Sequence, residues 1–150
     1  MRSIIYTAIV AVVFIVSAGA AGVCAQDPPQ KAVASTTAKF ATIEKTAPQY
    51  TAAIDAHKLD AAKQLTDKEG AFRGTVTQVF TPRSGTIAIL NFDKDYKTAL
   101  TAVVNKADWP RFPDLSQLVG KEIVVSGKFV DFHGATEVVL TAPSQIRLVK

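Results

Sequence analysis

Catalysis in this chain would have to come from His57, His133 or the loop acids Asp93 and Asp95. The two histidines lie far apart in sequence and fall in different elements. No HExxH, GxSxG, P-loop or GxGxxG pattern occurs. Asp93 and Asp95 flank Lys94 and have the chemistry to touch a cation, but solvated loop acids are the commoner outcome. No serine has a base partner in sequence. The expectation is no enzyme, no metal and no cofactor. A second set of residues suits binding instead. It comprises Arg83, Asn91, Lys94, Tyr96, Lys97, Lys106, Phe132 and His133. Cations follow phosphates and flat rings stack on bases, which is what a single nucleic-acid strand needs. Against this, Lys94, Lys97 and Lys106 alternate with Asp93, Asp95 and Asp108, so local charge nearly cancels. A solvated mixed surface is the plain alternative to a phosphate track. Rings such as Tyr96 and Phe132 are more often covers of a barrel end than stacking platforms, and His133, before Gly134, reads as an exposed, inert turn residue.

The elements that must hold these residues begin after a leader. Met1-Arg2-Ser3 carries one positive side chain, residues 4–16 are apolar apart from Tyr6 and Thr7, and residues 17–25 are rich in small side chains. This is the order of a secretory signal peptide over residues 1–25, with cleavage after Ala25 and a second site after Ala20. The competing reading is an uncleaved anchor, because residues 4–23 are about as long as a bilayer crossing requires. Val23 before Cys24 is a poor lipoprotein signal. Cys24 is the only cysteine, so cleavage leaves a product without disulfides or Cys-based zinc. The expected location is the periplasm or the extracellular space. The net charge of +4 falls by one when Arg2 is removed. That excess permits polyanion contact without demanding it.

Residues 26–47, rich in Ala, Thr and Pro, read as a flexible lead, with a weak helical turn at Phe40, Ile43 and Ala47. Over 48–66, Tyr50, Ile54, Ala61 and Leu65 recur at helical spacing behind Pro48, which predicts a helix packing on the remainder. From residue 70 to 150 the pattern turns to β. Strands are expected over 71–81, 86–92 and 98–105, then an irregular helical link over 107–119, then strands over 122–131 and 136–141. Trp109 and Phe112 in the link are expected to plug the core. Leu90, Phe92, Ile123, Val125, Val138 and Leu140 are core by alternation. Three strands, a link and two strands is the order of a five-stranded Greek-key OB-type barrel, a mainly β fold.

Several segments carry a family resemblance. They are Gly74-Thr75-Val76, the run Leu90-Asn91-Phe92-Asp93-Lys94-Asp95-Tyr96, the run from Leu118 to Gly127, and Pro143-Ser144-Gln145-Ile146. Together they resemble a bacterial exported OB-fold module, found alone or beside secreted nuclease domains and described as nucleic-acid-binding. A looser similarity, at Ser84-Gly85-Thr86-Ile87, is to small periplasmic OB proteins linked to stress responses. The resemblance implies a ligand site on the face of strands two and three with its flanking loops. The first loop here has only Arg83 where such modules carry a basic or aromatic run. Expected partners are single-stranded nucleic acid or another polyanion, with an envelope protein or a small ligand as the alternatives. No stable membrane insertion is expected after cleavage.

Overall fold

The computed structural model describes residues 39–150. The leader and most of the Ala-rich lead therefore lie outside the described residues. The rest is mainly β, with nine short strands where five are expected.

The centre of the fold is a meander. Strands β4 (Gln78–Phe80), β5 (Ile87–Asn91) and β6 (Thr101–Asn105) pair antiparallel in sequence order. Strand β6 then pairs parallel with β8 (Ala135–Leu140), and β8 pairs antiparallel with β7 (Glu122–Phe132). Strand β3 (Glu69–Thr75) pairs with β7. Only Val76 and Thr77 separate β3 from β4, so one segment touches both ends of the path and the sheet curls into a barrel-like half cylinder. The expected first strand is thus two strands, broken where the chain turns the corner. Gly74 lies inside β3, two residues before that break. A Cβ there would lie 2.9 Å from both the Ala56 Cβ and the Phe92 ring, a space only glycine leaves free.

The inward residues form one core. Leu90, Phe92, Ile123, Val125, Val138 and Leu140 are all buried, as alternation predicts. Phe72 packs edge-on against Phe92 and Phe129, with ring centroids 4.9 and 6.1 Å away. Burial of each large side chain contributes about 1.5–3 kcal/mol. The link between β6 and β7 is two 3₁₀ turns, Trp109–Arg111 and Leu115–Leu118. Phe112, Leu115 and Leu118 are buried there, and the Trp109 indole N–H donates to the Val104 carbonyl at 3.1 Å.

The segment before the barrel differs from expectation. The single helix over 48–66 is instead two short helices, α1 (Pro48–Thr51) and α2 (Leu59–Lys63), with strand β2 (Ile54–Asp55) between them. β2 lies parallel on the edge of β3, and the Ala56 N–H donates to the Arg73 carbonyl at 2.8 Å. Satisfying that open edge outweighs a helix too short to be stable alone. The weak helical turn at Phe40, Ile43 and Ala47 is also replaced. Strand β1 (Ala41–Ile43) pairs parallel with β9 (Ile146–Val149), the closing strand, so the end of the lead is ordered against the sheet.

This lead covers the outer face of β3, β7 and β9. Ile43, Ala53 and Val124 form a second small apolar cluster with Tyr50. The Tyr50 hydroxyl donates to Glu122 at 2.8 Å, Lys45 pairs with the same carboxylate at 2.9 Å, and the Arg73 guanidinium sits 4.3 Å from the Tyr50 ring centroid. The opposite face, on β5, β6 and β8, is left open. Among the described residues no helix is long and apolar enough to cross a membrane.

Candidate ligand-binding groove

The open face is built by cross-strand rows. Register pairs Phe80 with Ile89, Ile89 with Val103 and Val103 with Val139, which makes an apolar row across four strands. One pleat along, register pairs Asn91 with Thr101 and Thr101 with Glu137, which makes a polar row. Neighbouring strands lie about 4.8 Å apart, so Asn91 and Glu137 stand about 10 Å from each other with Thr101 between them. Both rows line one groove of ≈ 850 Å³.

Three rings rim it. Phe80 ends β4, Tyr96 lies in the β5–β6 loop and Phe132 ends β7. They are 45%, 60% and 58% exposed, so none is spent as a core plug. Phe132 is presented by the two-residue hairpin His133-Gly134. Both residues have positive φ, 54° and 83°, the pattern of a type I′ turn that suits Gly134. The His133 ring packs edge-on against Phe132, with centroids 4.5 Å apart.

The loop that carries Tyr96 is held by its own acids. Asp93 Oδ1 accepts from the Lys94 and Asp95 backbone N–H groups, and Asp95 Oδ1 accepts from the Lys97 N–H at 3.0 Å. The Thr98 hydroxyl beside Asp93, which donates to the Asp95 carbonyl at 2.8 Å, and then the Lys94 N–H hold that carboxyl below its ordinary range. His57 bridges this loop to β2, with Nε2 3.2 Å from Asp93 and Nδ1 3.0 Å from Asp55. The acids that seemed available to a cation are therefore used in shaping the loop. Lys97 Nζ lies 5.8 Å from the Tyr96 ring centroid.

Of the expected binding residues, Asn91, Tyr96, Lys97, Phe132 and His133 come together in the groove. Arg83, Lys94 and Lys106 do not line it. They are exposed on neighbouring loops. Lys63, from the end of α2, joins Lys97 as the second lysine of the lining. Sequence reasoning missed Phe80, Ile87, Ile89, Val103, Val139, Thr101 and Glu137. A signal for the apolar ones was present. Residues 87–90 read Ile-Ala-Ile-Leu, apolar on both faces, which is unusual for a strand with one face in water.

Glu137 is the one carboxylate of the lining. It is half-buried, and burial raises its carboxyl above the ordinary range. Next to it Thr136 is 6% exposed, lines the same groove, and its hydroxyl has no hydrogen-bond partner among the described residues. The groove thus offers stacking, an apolar floor, a short hydrogen-bonding row and little net charge.

No protein-family model matches the chain, and no curated protein matches it. Among solved structures, an aspartyl-tRNA synthetase from Entamoeba histolytica is similar over 81% of this chain, at 13% identity and a TM-score of 0.48. The match spans 27% of that synthetase chain. The hypothetical protein ygiW from E. coli is similar over 75% of this chain and 99% of its own, at 13% identity and a TM-score of 0.41. OBody AM3L09, solved bound to hen egg-white lysozyme, is similar over 57% of this chain and 84% of its own, at 16% identity and a TM-score of 0.40. The functional reading rests on the groove's own residues.

Proposed function

We propose that this chain is an exported, non-enzymatic binding module of the OB type, which takes single-stranded nucleic acid weakly on the β5–β6–β8 face. The leader supports export. The parallel β6–β8 pairing within an otherwise antiparallel meander, closed by the split β3–β4 segment, supports the OB type. One observation carries the ligand class. Phe80, Tyr96 and Phe132 stand open around an apolar row, and each is a platform for a base.

Stacking, not charge, dominates this binding. Lys63 and Lys97 line the groove and Glu137 offsets one of them. Two phosphates neutralised give a log–log salt slope of about −1.4, at roughly −0.7 per phosphate on a single strand. Titration of a fluorescent oligothymidylate at two salt concentrations tests this. Tyr96→Ala and Phe132→Ala are each expected to weaken binding by about 1–3 kcal/mol. Arg83→Glu and Lys106→Glu are expected to change it little. Binding that ignores both rings, or that vanishes with Arg83→Glu, would sink the reading.

A second reading has its own support. An apolar row with one unpaired carboxylate also suits an extended protein segment that carries an apolar side chain and a cation. The envelope scaffold or small-ligand roles belong to that reading. It predicts that the oligonucleotide fails, while a nuclease-treated extract yields a partner on the wild type that Phe132→Ala loses.

A further inference from the structure

The polar row gives the groove a reading edge. Asn91, Thr101 and Glu137 face the same side on adjacent strands, and none of the three side chains makes a hydrogen bond among the described residues. A ring laid along the apolar row of Ile89, Val103 and Val139 turns one edge toward them. At the β8 end, that edge meets the Glu137 carboxyl, which accepts on both oxygens when ionised. One strand over, Thr101 and then Asn91 each bring a donor. Across the row Glu137 accepts, while Thr101 and Asn91 can each donate and can also accept.

The geometry points to guanine as the base this row selects, with Glu137 accepting from its N1–H and N2–H groups and Thr101 or Asn91 donating to O6. This specificity rests on the single-strand reading above. Guanine is the base whose pairing edge sets two adjacent donors beside a carbonyl. Thymine and uracil present two carbonyls around one N–H, so a carboxylate facing them meets a lone pair on either side. Cytosine and adenine offer one amine each and satisfy half of the carboxylate. The rims do not discriminate, because every base has a flat face.

The test is fluorescence anisotropy with two labelled hexanucleotides at low salt, one all thymine and one with a single central guanine. The wild type is expected to bind the guanine strand about tenfold more tightly, within the range a good bidentate contact supplies. Glu137→Gln cannot accept on both atoms. Because it also removes the charge that offsets one groove lysine, it is expected to bind both strands somewhat more tightly than the wild type does, with the guanine-to-thymine ratio falling to about one. Equal binding of both strands by the wild type, or a preference that survives in Glu137→Gln, overturns the assignment while the single-strand reading stands. Failure of both strands to bind overturns that reading and the base preference together. A melting curve for Glu137→Gln confirms that the variant is folded in each comparison.

Discussion

At the residue scale, Glu137 is the position where binding and stability pull apart. Its carboxyl is raised by burial, so the folded protein holds that proton more tightly than the unfolded chain. The contribution is favourable at acid pH and is lost as pH rises from the ordinary carboxylate range through the raised folded value. Glu137→Gln is therefore expected to melt higher than the wild type at neutral pH. The gap should narrow as the solution is acidified below the carboxylate range. A gap that is constant with pH would show that the ionised group costs the fold nothing. Gly74 is the second sensitive residue. Gly74→Ala drives a methyl against Ala56 and Phe92, and overpacking of this kind costs about 1–3 kcal/mol. Urea denaturation should show a lower midpoint with an unchanged slope. Neither residue was fully legible beforehand. A glycine inside a β-rich run, as at Gly74, points to a bulge or a close approach without saying what approaches it. Glu137 read as one more outward residue of an alternating strand, because sequence cannot show that its outer face is bounded by rings from three other elements.

At the element scale, strands were more legible than the segment before them. Alternation in Leu90-Asn91-Phe92 and Ile123-Val124-Val125 marks which residues turn inward, and the core follows. Val124 is the informative exception, outward by alternation yet buried, because β1 and α1 lie over it. The stripe Tyr50, Ile54, Ala61, Leu65 has helical spacing, but Ala53, Ala56 and Ala62 are the residues that end up buried. Small side chains carry little periodic signal, and the demand of an open strand edge is not written in local sequence. The place of the loop cations outside the groove lining was hidden for a related reason. Nothing in Arg83, Lys94 or Lys106 states which way a loop side chain points. The lead itself is testable. Ile43→Asp places a charge in the cluster with Ala53 and Val124. The amide of Lys150, which donates to the Ile43 carbonyl at 3.0 Å, should then lose its protection from hydrogen exchange. Amides of β5 and β6 should keep theirs. Loss of protection everywhere would show that β1 is integral to the barrel and not a cover on it.

At the scale of the whole molecule, the two sides of the barrel's outer surface are used differently. One is covered by the chain's own lead and carries the Tyr50–Glu122–Lys45 contacts. The other is left bare apart from the edge of α2. The junction at Val76 and Thr77 gives this division a mechanical meaning. Val76 is buried, its N–H donates to Lys121 and its carbonyl accepts from Gly120, while the Thr77 N–H donates to Asn91. Those two residues act as the hasp of a split ring. They grip the β7 side through the Lys121 turn and the meander side through Asn91, a member of the polar row. A change that loosens the hasp is expected to part the ring along that seam. Val76 and Thr77 do not line the groove, so the seam that closes the ring lies outside the surface the rim rings frame.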